Sequence, residues 1–585
     1  MALGADPGGR KIACKLLFRL MVSVALLSGA AHAQVAPLQT PPQPLQRPAP
    51  VPVEPGVIPG PATPGGTAAP VGADKIPISP TAITVEHNTV YSPADLEPLI
   101  APLIGKKVTA ADIFALAAAI QRKYRDDGYF LATVVVPPQR VADGRIRLRA
   151  YEGSIAHVVV DGDVGPVIEQ ARAYLAKIGR GGQAVNLRDV ERYLLLTEDI
   201  PGINAKAVLR PGKQPGEAEL AVELSRKAWD AYYALDNRGS RFTGPLQSFL
   251  LGGVSSFTSL GERLEAMQFT TFSGESNYFQ VNGSFLVGSE GARIRAWAAK
   301  GFVNPSGPIA AIGYAGNLTL FGIGGMYPII RTRQANLSVN GQFEYYRSLV
   351  DANTGRLNAT HLRILRFGFD GSYRDDFNGA NTATIRFSKG LSILGASAAG
   401  DPLMARAGSD PGFFKVQAEL ARRQQIWAAN NFVLGVVGSL SGQLTGDVLP
   451  ASEKFFLGGD RFGRGYYFGE VSGDRGFAAS IELQLNVLVP PGGVGWSTPA
   501  SDLDPARALP LQFYAFFDYG RVWNLLASEA PAITARSVGL GVRASLLEHI
   551  MLEIELVRRL DLRVDGAAAT PLDPWAAFFK ATTRF

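Results

Sequence analysis

The stretch EKFFLGGDRFGRGYYFGEVSGDRGFAASIEL, from Glu453 to Leu483, decides how the chain reads. It is too rich in glycine and aromatics for a helix and too long for a hairpin turn. A long structured loop inside an all-β region is usually functional. At its centre, Arg464-Gly465-Tyr466 sets a guanidinium beside a residue without a Cβ, where the backbone can approach a wall closely. The strand-like run Tyr514–Tyr519 supplies one acid, Asp518. A loop arginine and a carboxylate on a barrel wall form a bidentate pair, which would pin the loop inside the barrel. The plain alternative is a surface loop with a solvated arginine, and the rest of the chain decides between the two.

At 585 residues there is room for several domains. Mean hydropathy is slightly positive at +0.08, yet no apolar run is long enough for a transmembrane helix. Apolar residues spread over alternating strands would reconcile the two, as in a transmembrane β-barrel. Cys14 is the only cysteine and precedes every predicted domain, so neither disulfides nor thiolate metal sites are expected there. The net charge of +6 includes Arg10, Lys11, Lys15 and Arg19 of the N-terminal leader against its Asp6; without them +3 remains, too little to argue for nucleic acid.

Residues 1–33 read as a secretory signal peptide: a basic region, an apolar core from Leu20 to Leu27, and Ala31-His32-Ala33 as the cleavage pattern. Residues 34–80 are proline-rich and read as a flexible linker that neither forms a helix nor joins a sheet. Residues 81–226 read as two α+β units, 81–152 and 153–226. In the first, Thr109 and Asp112 form a capping box, and Ile113, Leu116, Ala117, Ile120 and Tyr124 line one helical stripe that Gly128 stops. Strands are predicted at Phe130–Pro137 and across Asp143–Gly153, where Arg145, Arg147 and Arg149 make a solvated face. The second unit repeats the plan: a strand at Ile155–Asp163, a helix over Val164–Ile178, a helix capped by Asn186, and strands at Ile203–Arg210 and Glu217–Leu224.

From residue 227 the character changes. About sixteen segments of roughly ten residues alternate in hydrophobicity, separated by Gly, Asn, Asp, Ser and Pro, which predicts a transmembrane β-barrel over 227–585. In the last, Trp575–Phe585, the residues Trp575, Ala577, Phe579, Ala581, Thr583 and Phe585 share an apolar face suited to lipid. Counting strands, the Arg464 segment joins the eleventh and twelfth, and with the α+β units and the C-terminus both periplasmic it starts from the cell-exterior side.

No GxSxG elbow, HExxH motif, Cys/His cluster or GxxxxGK[ST] run is present, so no enzyme, cofactor or metal site is predicted. His87 and His157 read as surface or strand residues, and Gly322–Gly325 as a strand bend.

With these features together, the sequence resembles the outer-membrane transporters of two-partner secretion, within the wider outer-membrane assembly superfamily. The resemblance rests on GYF…VPPQ…DGRIRLRAYEG (Gly128–Gly153), LDNRGSRFTGP (Leu235–Pro245), the Glu453–Leu483 stretch, FFDYGRVW (Phe516–Trp523), SVGLGVR (Ser537–Arg543) and terminal Phe585. It implies that the α+β units are POTRA domains in the periplasm of a Gram-negative cell. They would capture an unfolded haemolysin- or adhesin-like exoprotein, which the barrel passes to the cell surface. It further implies that Arg464, Gly465 and Tyr466 enter the barrel, Arg464 meeting Asp518 and, as a second candidate, Glu482. Phe130, Leu131, Val134 and Val136 are the expected client-binding edge, and Phe579 and Phe585 the membrane-insertion signal. The expected partners are the exoprotein, outer-membrane lipids, periplasmic chaperones and the barrel assembly machinery. A plugging N-terminal helix, found in some relatives, is not written into the proline-rich stretch. The alternative function is a general outer-membrane assembly factor, which usually carries more POTRA units. A porin would lack periplasmic units, and a nutrient receptor would need a plug domain.

Overall fold

The computed structural model describes residues 68–141, 143–178, 182–214, 216–490, 508–546, 549–564 and 571–585. The expected leader and most of the proline-rich stretch lie outside the described residues.

The first unit comprises β1 (Pro77–Ile78), β2 (Ala82–Glu86), α1 (Pro93–Ile100), β3 (Val108–Thr109), α2 (Ala110–Asp126), β4 (Thr133–Val135) and β5 (Arg145–Tyr151). Thr109 and Asp112 close the predicted capping box on α2, and its apolar stripe is the core of the unit. Gly128 takes φ +95°, and a Cβ there would fall 2.7 Å from the Asn186 side chain, so the helix stop is also a close approach to the second unit. The linker expectation is corrected at its end: Pro77–Ile78 pairs with Val108–Thr109. Proline is tolerated there because it opens a two-residue edge strand, while the Ile76 carbonyl accepts from the Ala110 N–H.

The second unit comprises β6 (Ser154–Asp161), α3 (Ile168–Leu175), α4 (Leu187–Glu198), β7 (Ile203–Pro211) and β8 (Glu217–Arg226). Asn186 caps α4 by accepting from the Arg188 N–H at 3.0 Å. The two main sheets share one plan: orders β2-β5-β4 and β6-β8-β7, the first strand parallel to the third and the second antiparallel to it.

Sixteen strands close an antiparallel barrel. They are β9 (Trp229–Asp236), β10 (Gln247–Ser255), β11 (Arg263–Thr271), β12 (Ser276–Val287), β13 (Ala292–Val303), β14 (Ala315–Arg331), β15 (Ala335–Ala352), β16 (Gly355–Arg374), β17 (Gly379–Gly390), β18 (Phe414–Ala429) and β19 (Phe432–Thr445). Two short strands follow inside a loop, β20 (Phe455–Leu457) and β21 (Val471–Gly473). The wall resumes with β22 (Arg475–Val489), β23 (Leu509–Trp523), β24 (Ala532–Leu546), β25 (Ile550–Arg559) and β26 (Trp575–Arg584). β26 pairs with β9 to close the ring, and the Phe585 N–H donates to the Ala231 carbonyl at 3.0 Å.

Period-two alternation explains the wall. On β26, Trp575, Phe579 and the following Phe585 are exposed outward while Phe578 and Thr582 are buried. The expected bend at Gly322–Gly325 is absent: β14 runs through it, paired on both sides, and its register shift falls at Pro328/Ile330. A Cβ at Gly322 would lie 2.0 Å from the Trp297 ring, so this glycine makes room for an indole.

The second unit is fastened to one barrel rim. Asp199 takes both arms of Arg331 at 2.7 Å, Lys177 meets Glu290 at 2.8 Å in the β12–β13 turn, and Gln170 donates to the Gly288 carbonyl. Leu286 of β12 joins the core of that unit. The chain end lies on this same rim, so odd-numbered wall strands run away from it and the loop between the eleventh and twelfth strands starts from the opposite rim.

Candidate functional site

The loop over residues 446–474 turns back into the lumen. β20 and β21 pair to stiffen its stem. Gly458 and Gly459 (φ +103° and +95°) then bend it so that 460–466 form a tip, where the Tyr466 N–H donates to the Gly463 carbonyl.

Arg464 is buried at the tip. Its Nε and Nη2 donate to Asp518 at 3.1 and 3.0 Å, and its backbone N–H reaches the same carboxylate at 2.8 Å. Nη2 also donates to the Ser480 hydroxyl, and Nη1 to Glu482. The guanidinium lies 3.5 Å from the centroid of the Phe516 ring. Asp518 is fully buried on β23, and Glu482 projects from the neighbouring strand β22. Gly465 leaves no room for a side chain: a Cβ would lie 2.8 Å from that of Ser537, whose hydroxyl accepts from the Gly465 N–H. Tyr466 is fully buried, with its hydroxyl 2.9 and 2.8 Å from the carbonyls of Arg536 and Asp561.

The structure thus brings together all five residues expected at the loop and wall. It adds an outer ring of charge. Arg238, after β9, donates to the carbonyls of Gly459 and Arg464 at 3.0 Å each and to Glu555. Arg543 joins Glu482 at 2.8 Å and Glu553 at 3.3 Å. Further along, Glu453 takes Arg366 of β16 and Lys415 of β18, while Asp474 takes Arg406, which also holds Glu529. Arg461 reaches Glu419 on β18, and Asp460 reaches Lys580 on β26. These strands stand on opposite sides of the lumen, so the loop crosses it. Arg238 and Arg543 sit within stretches quoted above, and Glu553 and Glu555 share one alternating face, but nothing local in the sequence pairs them.

The expected client edge is shorter than its sequence pattern. Only Thr133–Val135 forms strand, at the edge of its sheet. Leu131 belongs to the core of the second unit and Phe130 packs against it, while Val134 is fully buried and Val136 packs on the first core. The outward N–H of Val134 is taken by the Gln121 side chain at 3.1 Å. Aromatic and aliphatic residues at strand spacing signal a buried core as readily as a binding edge. Phe579 and Phe585 lie on the outward face.

A sixteen-stranded barrel with an apolar outer face, α+β units on one rim and an ion-paired loop across its lumen defines an outer-membrane barrel protein. Residues 216–544 match the family described as haemolysin secretion/activation protein ShlB/FhaC/HecB, and residues 78–153 the ShlB-type POTRA domain. The chain belongs to that family and is a two-partner secretion transporter of the Gram-negative outer membrane, passing a partner exoprotein outward with its POTRA domains in the periplasm. It is 23% identical over 508 residues to the heme/hemopexin transporter protein HuxB of Haemophilus influenzae (strain 86-028NP), covering 84% of this chain and 85% of that one. It is 24% identical over 465 residues to outer membrane transporter CdiB-2 of Burkholderia pseudomallei (strain 1026b), covering 76% and 72%. Solved structures of CdiB from Escherichia coli and from Acinetobacter baumannii share the fold, with TM-scores of 0.70 and 0.63, 16% identity in each, and full coverage of both chains.

Proposed function

We propose that the clamp at Arg464, Gly465, Tyr466, Asp518 and Glu482 holds the lumen loop in the position from which the pore exports its client. The observation that carries this reading is one buried guanidinium bridging carboxylates on two adjacent wall strands. The client reaches the pore unfolded and is first held by the POTRA sheets through main-chain hydrogen bonds. Because β4 is short and its outward amide is occupied, the edge of the first sheet that takes the client is β2. The cycle involves no catalysis by this chain, a reading supported by its membership of a family of secretion pores. Folding of the client outside draws it through. Periplasmic chaperones and the barrel assembly machinery handle this chain before insertion, with Phe579 and Phe585 as the signal; their outward exposure and the pairing of Phe585 with β9 support that role.

The test compares a deletion strain with its parent, quantifying the culture supernatant, surface-shaved proteins and the outer-membrane fraction. Loss of one large exported protein, other barrels unchanged, is expected. A broad fall in outer-membrane barrels would assign the chain to general assembly instead.

A further inference from the structure

The charges of the barrel wall are sorted by face. Glu344, Glu482, Asp518, Glu553 and Glu555 point into the lumen, where arginines meet them. The outward rows carry cations instead, among them Lys300 on β13, Arg347 on β15, Lys389 on β17, Arg521 on β23 and Arg558 on β25. Most share the alternation of exposed apolar residues on their own strands, as Lys300 does with Ile294 and Phe302, Lys389 with Ile385 and Phe387, and Arg558 with Ile554 and Leu556. All five lie toward the rim opposite the POTRA domains, which is the cell-exterior rim.

None of the five has a carboxylate partner among the described residues. Arg536, on the same rim, is already paired with Asp561, and Arg422, toward the periplasmic rim, with Asp375. Three of the five cations sit over an aromatic ring: Lys300 over Phe302 at 5.5 Å, Arg521 over Trp523 at 5.5 Å and Arg558 over Trp575 at 5.8 Å. Such pairs place a charge at the membrane surface with its stem in hydrocarbon. One group is in register. Lys300 aligns with Thr319 and Thr319 with Arg347, so two cations stand two strands apart, about 10 Å. The Thr319 hydroxyl accepts from Lys300 at 3.0 Å between them. Beside this row, Phe321 and Tyr345 contact edge to face; Phe321 is exposed and offers a surface for acyl chains, while the Arg363 guanidinium covers the Tyr345 ring at 3.7 Å.

We propose that this rim binds the phosphates of the phosphorylated glycolipid of the outer leaflet, with Lys300, Thr319 and Arg347 as one built site. Cations left without carboxylates on a lipid-facing wall, all toward one rim, match a leaflet whose anionic groups lie at that depth.

The test places the full-length protein in phosphatidylethanolamine nanodiscs, adds diphosphoryl lipid A, fully dephosphorylated lipid A or phosphatidylglycerol, and counts retained lipid by native mass spectrometry. Diphosphoryl lipid A is expected to be retained over the other two. Lys300→Gln with Arg347→Gln should lower that retention about tenfold, while Arg422→Gln leaves it unchanged. Equal retention by the double variant would overturn the proposal. So would equal retention of phosphorylated and dephosphorylated glycolipid, a comparison made on the unaltered protein and therefore decisive even if the variant does not fold. Equal retention of phosphatidylglycerol would reassign the rim to any anionic lipid and overturn the glycolipid assignment.

Discussion

Replacing Arg464 by alanine should cost the loop its seat while leaving the barrel closed. The substitution removes two guanidinium bonds to Asp518, at 3.1 and 3.0 Å, together with the contact to Glu482 and the stack on Phe516. Asp518 is then a fully buried carboxylate that keeps only the backbone N–H of residue 464, at 2.8 Å, and the Ser480 hydroxyl, at 2.7 Å. Glu482 fares better because Arg543 remains at 2.8 Å. Breaking a buried ion pair from one side costs about 3–5 kcal/mol, and the surviving donors place this case near the lower end, about 3 kcal/mol. That is roughly a hundredfold in the ratio of seated to unseated loop. The assay is twofold: client in the supernatant, and tryptic cleavage within residues 446–474 in intact cells. Export should fall, cleavage should rise, and heat-modifiable migration of the barrel should persist. Adding Asp518→Asn should recover part of the protection, because the stranded charge is gone. Unchanged export with unchanged protection in Arg464→Ala would refute the clamp, and full restoration by lysine would refute the need for a forked donor.

Gly465→Ala should destabilise the seated loop by about 1–3 kcal/mol, since the new Cβ meets that of Ser537, and Ser537→Gly should relieve it; loop proteolysis reads both. Gln121→Ala should lower the unfolding temperature, leaving the Val134 N–H unmet at a cost of about 1–3 kcal/mol, yet leave crosslinking of client to the POTRA domains intact if β2 is the working edge. The joint between the second POTRA domain and the barrel should depend on pH. Burial disfavours the charge on Glu290, but Lys177, Tyr193 and Arg192 outweigh it and hold its pKa below the ordinary 4.5. A lowered carboxylate pKa means this contribution is complete above about 4.5 and is lost as pH falls through the lower folded value. Distances between spin labels on α4 and the β12–β13 turn should stay narrow from neutral pH to about 5 and broaden only in stronger acid, and broadening between pH 7 and 6 would point to another group.

Much of the architecture was legible because it rests on local periodicity. The α2 stripe, the Asn186 cap and the alternating face ending at Phe585 each follow from residues close in the chain, and the strand count placed the Arg464 loop between the eleventh and twelfth strands. Errors fell where a local pattern has two physical meanings. Leu131 reads the same in a strand and in a core, and Pro77 the same in a linker and in a two-residue edge strand beside Thr109. Gly322 read as a bend because Trp297, the ring it accommodates, lies on another strand.

Periodicity and spacing along the chain are enough for two repeated α+β units, a barrel of about sixteen strands, and a glycine-rich loop whose arginine has an acid to find at Asp518. Which charges meet depends on the folded barrel. Arg238 caps the loop from the far end of the chain's first wall strand, Glu453 finds Arg366 and Lys415, and the periplasmic-side Arg422 finds Asp375 while Lys300 and Arg347 at the opposite rim find no carboxylate among the described residues. The reason is that a closed antiparallel ring sets neighbours by strand register, which can place residues hundreds of positions apart within hydrogen-bond reach. Alternation along each strand tells which face a charge occupies, while barrel closure and loop insertion determine its partner.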